Sequence, residues 1–346
     1  MPVNNYALRG MGIYTRRLAF ACTIFMASTA IFAGEALAFG PLELLKDLYR
    51  LPAHEVRLYM DNDLNFSDKY YTAGSKAEFR SFGPAYSYGH GEKTGSALRR
   101  EIVGITLTQE VYTPENFAPS NIIYGDRPFA GWAYLGFFTE ELRADDDSSQ
   151  KFGVELGCLG SCSRADLAQE DWHFFAGWPY PQGWKNQIDQ EFGLVLQYDK
   201  RFPKLIDHRF SPGNGVVFDL APKFHLEAGN IFDRASVGLQ MRFGKADAYF
   251  NAPAAAHNPT EFYLLLTADG MGVGYNATLQ GGMSNKNSPY TVEPSRFVFN
   301  GELAAVLNVK EYSAYVGVGM VGLEMLNQPL KLVDHFFWRF QLAYRF

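Results

Sequence analysis

Along most of this chain, polar and apolar side chains alternate with a period of two. In residues 335–346, Phe336, Trp338, Phe340, Leu342, Tyr344 and Phe346 fall on one face, with Phe337, Arg339, Gln341, Ala343 and Arg345 on the other. Residues 236–244 repeat the pattern, setting Val237, Leu239, Met241 and Phe243 against Ser236, Gly238, Gln240, Arg242 and Gly244. Alternation of this kind predicts strands with two unlike faces. Twelve are expected, at 54–61, 71–81, 101–112, 129–143, 151–159, 191–202, 214–228, 234–245, 261–277, 296–308, 311–325 and 335–346. The segment 261–277 reads alternatively as two shorter strands, because Asp269 and several glycines interrupt it. A sandwich core and a membrane barrel both produce such alternation. The barrel is favoured because many strands reach the roughly 9–11 residues that a tilted strand needs to cross a bilayer, and aromatics sit near their ends. Twelve is also an even number, as single-chain bacterial barrels require.

Composition and the amino end agree with that choice. The 29 Phe, 20 Tyr and 33 Gly point to an all-β chain with aromatic belts. Arg16 and Arg17 precede an apolar run over 18–33, and Ala36-Leu37-Ala38 offers the small residues of a cleavage site. Residues 1–38 are therefore expected to be a secretory signal peptide, with 39–346 forming one outer-membrane barrel domain. A transmembrane anchor fits less well, since the run is shorter than a bilayer span. Without Arg9, Arg16, Arg17 and Glu35, the formal charge moves from -6 to -8, a balance that gives no support to nucleic-acid binding. Cys158 and Cys162 remain, four apart in an exported chain, which suggests a disulfide closing a small loop or else two free thiols.

With both ends in the periplasm, the loops at 62–70, 113–128, 160–190, 229–233, 278–295 and 326–334 face outward. The first belongs to the stretch 61–74, Asp-Asn-Asp-Leu-Asn-Phe-Ser-Asp-Lys-Tyr-Tyr-Thr-Ala-Gly, which is densely furnished with oxygen ligands. The third is too long for a simple hairpin. Within it, 164–175 has helical character with Ser163 as N-cap, and Gln169 and His173, four apart, share one face. Parity along the second strand puts Thr72 on the polar inward face with Gly74, Lys76, Glu78 and Arg80, while Glu110 shares its inward face with Thr106 and Thr108. Thr72 and Glu110 are thus expected to look inward at the outer rim, close to Asn62 and Asp63. Asp126 and Arg127 are expected to pair and fix the second loop.

These motifs carry a resemblance. Asn62-Asp63, Tyr71-Thr72-Ala73-Gly74, Tyr112-Thr113-Pro114, residues 125–131 (Gly-Asp-Arg-Pro-Phe-Ala-Gly), Gln169 with His173, and Gly183-Trp184 resemble, in order, the outer-membrane lipid A 3'-O-deacylase family. The resemblance implies a twelve-stranded antiparallel transmembrane β-barrel whose active site lies between the barrel wall and a helical outer loop. It implies calcium-dependent hydrolysis of the ester that joins the 3'-linked acyloxyacyl chain to lipid A, the substrate being lipopolysaccharide. His173, Asn62 and Thr72 match active-site positions, and Asp63 matches another that we expect to hold the metal. Two departures accompany the match: Pro179 stands where some members carry an acid six residues after the histidine, and Pro119 falls near the place of a basic residue. A chain of this class also implies insertion by the barrel assembly machinery.

The residue types suit the reaction on their own terms. Neutral imidazole titrates near neutrality and takes a proton from attacking water. A calcium ion on oxygen ligands such as Asp63 and, in a second candidacy, Glu110 stabilises the oxyanion, with Asn62 donating to it and Thr72 orienting the water. No Gly-x-Ser-x-Gly elbow is present. Three rival readings stand beside this one: a non-catalytic lipopolysaccharide-binding or structural barrel, a calcium-dependent outer-membrane phospholipase, and, least favoured, a porin.

Overall fold

The computed structural model describes residues 53–64, 68–83, 86–88, 97–143, 146–210, 215–246, 260–326 and 335–346. The expected signal peptide lies outside them, as does most of the loop 326–334.

The alternating segments form fourteen strands among the described residues: β1 (Ala53–Asp63), β2 (Tyr70–Phe82), the short β3 (Tyr86–Tyr88), β4 (Ala97–Thr113), β5 (Ala130–Arg143), β6 (Ser149–Leu159), β7 (Glu191–Arg201), the short β8 (Ile206–Arg209), β9 (Val216–Gly229), β10 (Phe232–Lys245), β11 (Thr260–Asn276), β12 (Phe297–Val309), β13 (Tyr312–Val321) and β14 (His335–Arg345). All pairs are antiparallel, and β14 joins β1, so the sheet closes. β3 and β8 only extend hairpins on β4 and β9, leaving twelve strands in the wall. Closure satisfies every strand edge, which a sheet in hydrocarbon needs. β11 runs unbroken past Asp269, because Asn300 and Lys223 take up its carboxylate inside the barrel.

The two faces separate as the alternation requires. Leu194, Leu196, Leu239, Phe243, Leu264, Leu266, Leu303 and Leu342 stand exposed around the outside. An apolar belt of this extent is at home in lipid and not in water. No helix among the described residues is long and apolar enough to cross a membrane.

Inside, charges neutralise one another: Arg339 binds Asp61 at 2.8 Å and Glu302 at 2.9 Å, and Lys223 binds Asp269 at 2.7 Å. A lumen cavity of about 660 Å³ remains among these groups. Tyr112, Trp132, Tyr134, Ile188, Ile231 and Phe232 pack together beside it, Trp132 being fully buried.

The loop 160–190 carries the helix α1 (Ala165–Ala176). Its N-cap is Arg164 in a left-handed conformation, one residue later than expected. Ser163 instead donates its hydroxyl to Gly160 O and accepts from Ala165 N, closing the preceding 3-10 turn at Gly160–Ser163. Cys158 and Cys162 are joined as a disulfide across that turn, with Cα atoms 5.8 Å apart. α1 lies against the outer surface of the wall, where Ala165 packs with Val111, Phe129 and Trp184. Gly131 permits this approach, since a Cβ there would sit 2.1 Å from Ser163 Oγ and 2.4 Å from Ala165 Cβ.

Candidate active site

The site is built where α1 meets the outer faces of β1, β2 and β4. On β1, parity sends Glu55, Arg57, Tyr59 and Asp61 inward, so Met60 and Asn62 face out. On β4, Glu110 and Tyr112 look into the lumen, while Gln109, Val111 and Thr113 face α1. Gln109 Nε2 donates to Ser163 O at 2.7 Å and so ties the wall to the start of the helix.

Thr72 departs from expectation. Tyr71 pairs with Tyr112 and Ala73 pairs with Val111, so Thr72 is an extra residue in a β-bulge. The bulge breaks the two-residue parity: Tyr71 enters the lumen, its hydroxyl bonding Asp61 at 2.9 Å, and Thr72 turns outward. Thr72 Oγ1 lies 2.6 Å from Thr113 Oγ1, and the Thr113 hydroxyl donates to Asp68 O.

Glu110 is the second correction. It accepts from the Tyr112 hydroxyl at 2.7 Å inside the barrel, so the wall stands between it and α1. The reason is simple parity: Glu110 and Val111 cannot share a face. Asp63 ends β1 and accepts from the backbone N–H of Asp68 at 3.2 Å, which makes it a holder of the loop that follows.

His173 is buried on α1. Gly177, left-handed at φ 72°, ends the helix, and Trp178 N bonds back to His173 O at 2.9 Å. This reversal, of the kind glycine supports at helix ends, returns the Pro179 carbonyl to the ring, where it accepts from Nδ1. Pro179 therefore offers no acidic side chain but supplies a backbone acceptor. A carbonyl only accepts, so Nδ1 carries a proton and Nε2 is the nitrogen available for base chemistry.

Nε2 faces the carboxylate of Asp68. The two atoms are in close contact and form an ion pair when the ring is protonated. Burial works against a charged ring, but Asp68 and the Pro179 carbonyl outweigh it, and the His173 pKa is raised above its ordinary 6.5. The rings of Phe117 and Trp178 approach edge-on, Phe117 coming from the loop that holds Pro119.

Between α1 and the wall is a cavity of about 30 Å³, lined by Met60, Asn62, Asp68, Thr72, Gln169 and Trp172 among others. That is room for a water or a small ion, not for an acyl chain. Asn62 Oδ1 is buried there with no hydrogen-bond partner, an arrangement that native interiors tolerate only where something else satisfies the atom.

A family profile described as Outer membrane protein LpxR matches residues 18–330. The chain belongs to the LpxR family. Among solved structures, LpxR from Salmonella typhimurium superimposes with a TM-score of 0.66 at 17% identity, over 84% of this chain and 99% of that one. The translocator domain of the autotransporter NalP from Neisseria meningitidis (TM-score 0.37, 11% identity, 93% and 97% covered) and the β domain of the Bordetella autotransporter BrkA (0.36, 10%, 85% and 97%) are more distant barrels. No curated protein sequence matches the chain. This LpxR-family chain is thus an outer-membrane protein with a closed twelve-stranded barrel.

Asn62 and Thr72 line one cavity at the outer wall of this LpxR-family barrel, His173 is linked to it through Asp68, Asp63 holds the Asp68 amide, and Glu110 does not join them. Asp68, within the oxygen-rich stretch 61–74, was not among the site residues expected from the sequence. Its local signal was weak, because Asp is common in turns. Gln169 ties it to the helix, donating to Asp68 Oδ2 at 3.0 Å while accepting from Trp184 Nε1 at 2.8 Å. Asp126 and Arg127 also separate: Asp126 accepts from Glu115 N at 2.8 Å, whereas the Arg127 side chain reaches Glu324 at 3.1 Å and Thr278 at 3.0 Å.

Proposed function

We propose that this chain is a lipid A 3'-O-deacylase, hydrolysing the ester of the 3'-linked acyloxyacyl chain of lipopolysaccharide in the outer leaflet. The observation that carries the reading is His173, held through Nδ1 by Pro179 O and in contact through Nε2 with Asp68, which lines a water-sized cavity on the outer wall of an LpxR-family barrel.

Water attacks the ester carbonyl and gives a proton to Nε2 of neutral His173. The tetrahedral intermediate then expels the sugar 3'-oxygen, which takes that proton from the imidazolium, leaving a free 3'-hydroxyl and a fatty acid. Asn62 presents an amide N–H to the oxyanion. Exposed Leu167, Phe174 and Tyr180 on α1 and the segment after it offer apolar surface for acyl chains.

The donors at the cavity fit a hard cation. Among the described residues no three His, Cys, Asp or Glu side chains converge. The unpartnered Asn62 Oδ1, however, is the sort of oxygen that calcium accepts alongside water and a carboxylate. Asn62 and Asp63 are the residues we assign to it, and Glu110 is set aside. When bound, calcium supplies positive charge to the oxyanion.

Mass spectrometry of lipid A from cells expressing the chain tests this. Loss of the 3'-linked chains is expected. An unchanged spectrum, with the barrel inserted and calcium present, overturns the reading, and release of fatty acid from glycerophospholipid alone would make the chain a phospholipase.

A further inference from the structure

Thr113 ends β4 opposite Tyr70, and its side chain is fully buried where the first loop meets the bulge of β2. Its one hydroxyl touches both sides of that bulge: Thr72 Oγ1 lies 2.6 Å away, and the backbone carbonyl of Asp68 is the other partner. The chain between them is strained. Asp68 and Tyr70 both adopt left-handed backbone conformations, at φ 51° and 62°. Tyrosine rarely accepts this conformation. The buried Tyr70 ring holds it there by packing among Leu279, Val292 and Met325. Backbone strain held by its surroundings in this way concentrates at functional sites.

The supply of protons orders these bonds. A carbonyl only accepts, so Thr113 spends its one O–H on Asp68 O and must accept from Thr72. Thr72 thereby spends its own O–H on Thr113; the other acceptor within its reach, Tyr70 O, is farther, at 3.4 Å. Thr72 lines the cavity beside Asn62 and Asp68, and any further bond it makes there is one it accepts. Asp68 is fixed from the same point. Its carbonyl is held by Thr113, its amide by Asp63, and its carboxylate, in contact with His173 Nε2, by Gln169.

Resting on the deacylase reading, we infer that Thr113 is a positioning residue for the ester hydrolysis: one buried hydroxyl ties the bulged Thr72 to the turn that carries Asp68, and so sets Thr72 and, through Asp68, the His173 ring in one frame. Thr113 does not itself line the cavity and acts only through these partners. Its oxygen matters because two hydrogen bonds of opposite sense meet on it. A side chain of the same shape without that oxygen releases the Thr72 proton and leaves the Asp68 carbonyl without this donor. The bulge and the strained turn then lose their common anchor.

The test compares wild type, His173→Ala, Thr113→Val, Thr113→Ser, Thr72→Val and the double variant Thr72→Val/Thr113→Val, each refolded in detergent with calcium and assayed on lipopolysaccharide. Heat-modifiable gel migration reports barrel closure. Thr113→Val is expected to lower kcat by about 10²-fold with KM changed less than about twofold, the pattern of lost alignment. Thr113→Ser keeps the hydroxyl and should come within about threefold of wild type. Because both hydroxyls serve one link, the double variant should lose no more than about threefold beyond the slower single variant. If wild type deacylates and His173→Ala does not, but Thr113→Val keeps its kcat, the inference falls while the function stands. It falls too if Thr113→Ser is as slow as Thr113→Val, or if the losses of the two single variants multiply in the double. A wild-type barrel that closes and leaves lipopolysaccharide intact overturns the deacylase reading and the inference with it. Should Thr113→Val prevent closure, Thr113→Cys decides: its thiol is a weak donor, so a loss of about tenfold supports the inference and full wild-type kcat overturns it.

Discussion

The lumen and the outer wall of this barrel sit a strand's thickness apart, and they use polar residues in opposite ways. Inside, acids and bases are abundant and matched: Asp61 with Arg339, Asp219 with Arg242, Glu227 with Arg234. Such pairs offset the desolvation of each charge and leave little capacity for a ligand. Outside, between α1 and the wall, polar groups are few, and Asn62 Oδ1 has no partner while His173 Nε2 is in contact with Asp68. On the function proposed above, the unpartnered Asn62 oxygen next to a small cavity, rather than density of charge, marks the reactive side.

Several experiments can break or sharpen that contrast. The largest effect is expected from His173→Ala, which should reduce deacylation by about 10³-fold while the barrel still closes, read by lipid A mass spectrometry and heat-modifiable gel migration. A full-activity His173→Ala barrel would move the chemistry off the outer wall. Asn62→Ala follows, with kcat lower by about 10²-fold and a weaker response to added calcium in the same assay. If calcium dependence is unchanged, the unpartnered oxygen has another use.

The pH profile comes next. Because the His173 pKa is raised above 6.5, the neutral base form is scarce below it, and the rate should climb roughly tenfold per pH unit on the acid limb, levelling off above a midpoint higher than 6.5. The stability linkage has the opposite direction. The Asp68–His173 contact contributes fully below the unfolded pKa and is lost as pH rises through the folded one. A thermal transition followed across that range checks the sign. The smallest effect is expected from Glu110→Gln in the lumen: less than about twofold in deacylation. A large loss would show that the wall does not isolate the two regions.

The pattern of residues made the barrel legible. All twelve strands fall within a few residues of their expected places, because alternation is a local signal repeated along each strand. His173 and Gln169 on one face of α1 were legible for the same reason. Thr72 was misplaced because parity assumes an uninterrupted ladder, and one inserted residue reverses it. Glu110 was rightly placed inward, but an inward position turned out to be the wrong side of the wall from His173.

The sequence alone, then, determined the alternation, the strand count, the helical loop and the residue types able to perform ester hydrolysis, all of which depend on near neighbours in the chain. Only the closed barrel decided which side of its wall those residues share. Asp68 and Gln169 are 101 residues apart. They meet, and bring Asp68 to His173, because a bulge in β2, a strained turn after β1 and a glycine-ended helix converge at one rim, and no local pattern encodes a meeting of that kind.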